Sequence, residues 1–170
     1  MQQHDVQEFF MQLFDAVEQS FEQNGIYGVI GDLYQGITTD FVRCKTCNYE
    51  STRDAKFFDL QLPVKNEFEN ISNSSIEEAL KNFLNVETLT DSNKYECPTC
   101  NQKQEALKGS KFVKLPKILT LQLIRFTLDM QTFDRKKLND SVSFPILLNM
   151  NHFLYEDKCQ DKELLYNLIN

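Results

Sequence analysis

Two cysteine pairs, Cys44-Lys-Thr-Cys47 and Cys97-Pro-Thr-Cys100, constrain this chain more than any other feature of its sequence. Two residues between thiols let one turn present both sulfurs to a single ion. Two such turns complete a tetrahedral four-sulfur shell, the closed geometry of structural zinc. The 49 residues between the pairs exceed what a compact finger needs, so each pair is expected on its own hairpin with an insert between them. A redox CxxC opens a helix in a βαβ setting, whereas both pairs here sit among strand-like residues. With Cys159 the cysteine count is five, which suits a metal site in a reducing compartment better than a disulfide framework. A closed shell has no open position for a substrate. Zinc would therefore join the hairpins rather than do chemistry, with a binding free energy on the order of 10 kcal/mol or more.

The rest of the chain reads as a mixture of helices and strands. Asp5 and Glu8 stand in a capping-box relation, and Phe9, Phe10, Leu13, Phe14, Val17 and Phe21 then recur at helical steps until Asn24-Gly25. From Leu33 to Leu62 the texture is β, a long hairpin with the first cysteine pair at its tip. Residues 65–75 are polar and loop-like. Ser75 and Glu78 cap a second helix whose apolar face carries Ile76, Ala79, Leu80, Phe83 and Leu84. Tyr95 to Leu115 repeats the strand, CxxC turn and return strand. Residues 118–126 form a strand with Leu119, Leu121 and Leu123 on one face. Asp129 to Thr132 reads as a hairpin connection, with Leu138, Val142 and Phe144 continuing the sheet. Residues 156–163 read as a charged loop, and a last strand begins near Tyr166. The fold class is α+β.

Charge narrows the partners. A net charge of −7 and a pI near 4.9 do not favour phosphate backbones, so a basic protein surface is a better partner than nucleic acid. No apolar run approaches the roughly 18–20 residues of a membrane span, and the polar opening MQQHDVQE is no signal peptide. The expected setting is intracellular. A catalytic thiol needs a base oriented by a third group. Cys159 is flanked by Asp157 and Asp161, which would raise its thiol pKa. His4 and His152 have no sequence neighbours suited to orienting them. These residues by themselves make no active site.

Several blocks in order resemble the ubiquitin-specific proteases. Gln2-Gln3-His4-Asp5-Val6-Gln7-Glu8-Phe9 resembles that family's QQDxQEF box, with His4 as the departure. Leu33-Tyr-Gln-Gly36, the first CxxC and Phe57-Phe-Asp59-Leu60 resemble its first finger. Tyr95 to Cys100, then Leu119 to Phe126 and Asn139-Asp140 to Phe144-Pro145, resemble its second finger and palm blocks. The wording Leu-Gln-Leu-Ile-Arg-Phe and Lys-Leu-Asn-Asp is nearest the branch of the herpesvirus-associated protease.

The resemblance implies a papain-like hand: a thumb-side helix over residues 1–32, fingers with a zinc ribbon and inserted helix over 33–115, and an antiparallel palm over 116–170. It implies a thiol protease that hydrolyses the bond after the C-terminal glycine of ubiquitin, with ubiquitin and ubiquitinated proteins as partners. Gln3, Asp5, Gln7 and Glu8 would line the cleft for ubiquitin's basic tail, the carboxylates accepting from arginine; Asp5 and Glu8 also read as helix caps. Phe126 would line the ubiquitin surface, or would be a core residue. Cys44, Cys47, Cys97 and Cys100 would hold the zinc. The family's nucleophile box is expected before Met1 and its histidine box after Asn170, so the chain is expected to be an internal piece, inactive alone. The alternatives are a ubiquitin-binding pseudo-protease and, disfavoured by charge, a zinc-ribbon nucleic-acid module.

Overall fold

The computed structural model describes residues 6–66, 71–128, 134–154 and 164–169. Helix α1 (Val6–Gln23) is followed by the short α2 (Val29–Tyr34) and by the hairpin of β1 (Gly36–Cys44) and β2 (Glu50–Phe57). Strand β3 (Leu60–Pro63) and the two-residue pair β4 (Lys65–Asn66) and β5 (Ile71–Ser72) lead into α3 (Ile76–Phe83). Then come β6 (Glu87–Leu89), the small hairpin β7 (Tyr95–Cys97) and β8 (Gln102–Gln104), and the long β9 (Ala106–Lys114). Further on lie β10 (Leu121–Ile124), β11 (Phe126–Leu128), β12 (Arg135–Lys137), β13 (Leu147–Asn149) and β14 (Leu165–Asn167).

The main sheet is antiparallel in the order β2-β1-β9-β6. β1 is its spine, paired to β2 from Gly36↔Phe57 out to Arg43↔Glu50. β2 is exposed along nearly its whole length, and its residues Glu-Ser-Thr-Arg-Asp-Ala-Lys keep this edge charged, which discourages pairing with other chains. At its base the sheet meets the core, where Leu62, Val64, Ala79, Leu80, Phe112 and Met150 are essentially inaccessible. Phe112 on β9 joins the layers, its ring 6.0 Å from Phe57 and stacked 6.0 Å from Phe83 of α3. From that base the sheet runs outward to the cysteine turns.

The capping signals act locally. Ser75 Oγ accepts from the Glu78 backbone N–H at 3.1 Å. The Glu78 carboxylate accepts from the backbone N–H and hydroxyl of Ser74 at 2.7 and 2.8 Å, so the box closes one residue further out than the sequence suggested. The Ser74 N–H first, then its hydroxyl, pull the Glu78 carboxyl below its ordinary value. That contribution to stability is present at neutral pH and is lost as pH falls through the lowered value. α1 ends as expected, with Gly25 at φ +74° and its N–H returned to Glu22. Phe14 is buried against Phe10, Tyr34 and Phe58. Phe9, Leu13 and Phe21 of the same apolar stripe are exposed.

Elsewhere the structure departs from the sequence reading. Leu33 belongs to α2, whose six residues are too few to show a helical period. Ile118 is not in a strand, because its N–H is taken by the Leu33 carbonyl. The strand starts at Leu121 and pairs in parallel with β3. Leu138 and Val142 are buried but lie in no strand. The Arg125 guanidinium secures this stretch by donating to the Asp140 carbonyl at 2.8 Å. The connection at 129–132 and the loop at 156–163 lie outside the described residues. The last strand is present as β14, antiparallel to β13.

One polar group belongs to the core. Asn73 is 2% exposed. Its side-chain amide donates to the Pro63 carbonyl at 2.7 Å, and its side-chain oxygen accepts from Asn82 on α3. Among the described residues no buried side-chain polar atom lacks a partner. Asn73→Ala would strand both partners of this bridge, and urea denaturation is expected to show a loss of about 2 kcal/mol. A change below about 0.5 kcal/mol would mean that water replaces the bridge.

Candidate metal centre

Each cysteine pair sits at the tip of a hairpin, the first between β1 and β2 and the second between β7 and β8. The two turns are near copies. Cys44-Lys-Thr-Cys47-Asn48 and Cys97-Pro-Thr-Cys100-Asn101 both end in an asparagine in the left-handed region, at φ 59° and 52°. The Asn48 N–H returns to the Cys44 carbonyl at 3.0 Å, and the Asn101 N–H to the Cys97 carbonyl at 2.9 Å. Asparagine tolerates this conformation better than other residues with a side chain, apart from its close relative Asp. The repeated Cys-x-Thr-Cys-Asn is the mark of this turn in the sequence.

The fold brings the four sulfurs together. All lie within 4.8 Å of one another; Cys47 Sγ is 3.5 Å from Cys97 Sγ and Cys44 Sγ is 4.0 Å from Cys100 Sγ. A tetrahedral zinc–thiolate shell with bonds near 2.3 Å separates its sulfurs by about 3.8 Å, so side-chain adjustments of an ångström or less would close the four sulfurs on a metal. Cys44 and Cys97 are buried, Cys100 is partly buried and Cys47 is exposed. The first turn favours a thiolate at Cys44, while the Cys47 thiol is raised. Backbone N–H groups of Cys47 and Thr46 outweigh burial and hold the Cys44 thiol down at about 7. Cys100 is pushed up to about 12 by the neighbouring Cys47 sulfur first, then by burial and the other two sulfurs. Without a cation, four thiolates in this space repel one another; an ion of charge +2 relieves that.

Of the other candidate residues, Gln3 and Asp5 lie outside the described residues, as do His4 and Cys159. Gln7 is in the first turn of α1. Glu8 is exposed on the same turn, its carboxylate 3.4 Å from the Gln12 amide. Phe126 opens β11 opposite Lys137 and is 57% exposed, so it is no core residue. Glu8 and Phe126 thus stand on separate elements, and neither is on the hairpins that carry the cysteines. His152 is exposed on a single 3-10 turn.

The ubiquitin carboxyl-terminal hydrolase family matches residues 1–170, and the chain belongs to that family. It is 46% identical over 153 residues to ubiquitin carboxyl-terminal hydrolase 47 of Drosophila melanogaster, covering 90% of this chain and 10% of that protein. To the human hydrolase of the same name it is 42% identical, covering 90% of this chain and 11% of that protein. To human ubiquitin carboxyl-terminal hydrolase 40 it is 36% identical over 171 residues, all of this chain and 13% of that protein. Among solved structures it resembles a chain of the SAGA Ubp8/Sgf11/Sus1/Sgf73 DUB module bound to ubiquitin aldehyde. That match has a TM-score of 0.79 and 27% identity, covering 98% of this chain and 38% of that one. The fold is therefore the α+β fold of this family, and the chain spans about a tenth of the length of the curated relatives it matches.

Proposed function

We propose that this chain is the ubiquitin-gripping portion of a deubiquitinating thiol protease, with a structural zinc at its fingertip. The observation that carries the reading is the four-sulfur cluster at the end of a long antiparallel sheet, in a chain of this family. Cys44, Cys47, Cys97 and Cys100 would hold the zinc, which would tie the two hairpins together. Residues 1–32, 33–115 and 116–170 would be thumb side, fingers and palm. The nearest branch would be that of the herpesvirus-associated protease, and the setting intracellular.

Gln3, Asp5, Gln7, Glu8 and Phe126 would contact ubiquitin. The exposed ring of Phe126 supports its part, since a large apolar group left in water at a strand start is available to a partner. Acidic Asp5 and Glu8 suit the basic tail of the substrate. The four described thiols all converge on the metal cluster, and Cys159 stands between Asp157 and Asp161, an unsuitable setting for a nucleophile, so the nucleophile and its histidine base would lie outside this chain.

The purified chain is expected to carry one zinc, to bind ubiquitin weakly and to leave ubiquitin–fluorophore substrates intact. Asp5→Arg and Phe126→Ala are each expected to weaken binding by about tenfold, the effect of removing one interface anchor. Titration of labelled ubiquitin measures this. Binding indifferent to both changes, or reaction of Cys159 with a ubiquitin-based suicide probe, would overturn the assignment.

A further inference from the structure

The two cysteine turns are joined by more than their sulfurs. Among the described strands, β7 and β8 pair only with each other and lie outside the four-stranded sheet. From β8 the chain enters that sheet through a single residue, Glu105, which stands between β8 and β9. The angle of the second turn relative to the first therefore depends on this joint. Residues of the first turn grip it from both directions. The Lys45 backbone N–H donates to the Glu105 carbonyl at 2.9 Å, and the Lys45 ammonium meets the Glu105 carboxylate at 2.9 Å. One residue along, the Thr46 hydroxyl donates to the Gln104 side-chain oxygen at 2.8 Å.

We propose that Lys45, Thr46, Gln104 and Glu105 form a latch that fixes the spacing of the two sulfur pairs as the tip folds around the metal, making them positioning residues of the four-cysteine centre. This rests on the zinc reading above. An exposed ion pair alone contributes little to stability, and both partners here are more than 40% exposed, at 45% and 44%. What the latch fixes is geometry. Two consecutive residues on one turn hold two consecutive residues at the joint, with a backbone hydrogen bond in the middle. Without it, the metal alone would have to offset the ordering of the joint, and that cost would come out of its affinity. The Lys108–Glu87 pair is as short, at 2.8 Å, but lies within the four-stranded sheet between β9 and β6. It holds no cysteine turn and serves as a control.

The sign of the effect separates a latch from simple charge. A shell of four thiolates around one zinc carries excess negative charge. Freeing the Lys45 ammonium by Glu105→Gln would favour that state, so charge alone predicts tighter binding; a latch predicts weaker binding. The test uses the full chain, loaded with cobalt to read the thiolate charge-transfer bands and then titrated with zinc against a chromophoric chelator. Thr46→Val with Glu105→Gln is expected to bind one metal with the same spectrum, about tenfold more weakly, the low end for contacts that support metal ligands. The melting midpoint of the core should be unchanged, Thr46→Ser should restore its share, and Glu87→Gln should have no effect. The Glu105→Gln loss should shrink at high salt. Affinity within twofold of the parent, or tighter binding, overturns the latch. A parent chain that takes up no metal instead overturns the zinc reading, and the latch with it.

Discussion

Cys97→Ser is expected to strip the metal from the fingertip and unfold the β7–β8 hairpin while the core remains folded. The hairpin has three residues in each strand, and a two-stranded ribbon of that size does not hold together alone in water. Of its residues only Cys97 is buried. Its side chains offer little apolar surface with which to offset the entropy of ordering. Nearly all of its stability must therefore come from the metal, whose apparent contribution in such sites is about 10 kcal/mol or more. Serine keeps the volume and removes the thiolate. Metal analysis should find zinc falling from one per chain to none, and hydrogen exchange should show protection lost in β7, β8 and the turn after Cys44. Strand β3 and helix α3 should keep theirs. Treating the parent with a strong chelator should give the same pattern, and Cys159→Ser should change nothing. Protection retained at β7 and β8 in the metal-free variant would show that the tip is held by something other than the ion.

How much of this was legible beforehand depends on whether the information was local. The cysteine spacing specified the metal centre because two residues between thiols fix the geometry of each turn, whatever the rest of the chain does. Ser75 and Glu78 marked the start of α3 for the same reason, since a cap is a local hydrogen bond. The long hairpin was also visible, because β-branched and aromatic residues of β1 lead into the first cysteine turn, although β2 itself is almost wholly polar. Features settled by partners far along the chain were not visible. The parallel pairing of β10 with β3 joins segments about 60 residues apart and leaves no mark in either. Ile118 reads as strand by composition, yet its N–H is spent on Leu33. The latch at Glu105 joins residues 58 to 60 apart. Phe126 was ambiguous between surface and core, since an aromatic on a strand is compatible with either until its neighbours are known; the structure leaves it in solvent.

Phe112→Ala should fail at the end of the main sheet away from the cysteine turns, destabilising the whole unit rather than its tip. Phe112 is 1% exposed, and it contacts Phe57 at the base of β2 and Phe83 at the end of α3. Truncation removes the group that three elements share. The cavity cannot close easily. The tip of the Phe57 ring already lies where a Cβ on Gly36 would stand, 2.1 Å from its Cζ atom, so the ring is wedged against the β1 backbone on one side. A buried phenylalanine lost to alanine without collapse costs about 3–5 kcal/mol. That is a large fraction of the roughly 5–15 kcal/mol available to a domain. Phe112→Leu keeps most of the volume and should cost less, about 1–2 kcal/mol. Denaturant unfolding of the zinc-loaded chain measures both. Molecules of the alanine variant that remain folded should still hold one zinc, because the cysteine turns are at the far end of the sheet. A loss below about 1 kcal/mol, or zinc lost in step with Phe112 while the core stays folded, would mean that base and tip are not the separable units that the contacts of β9 define.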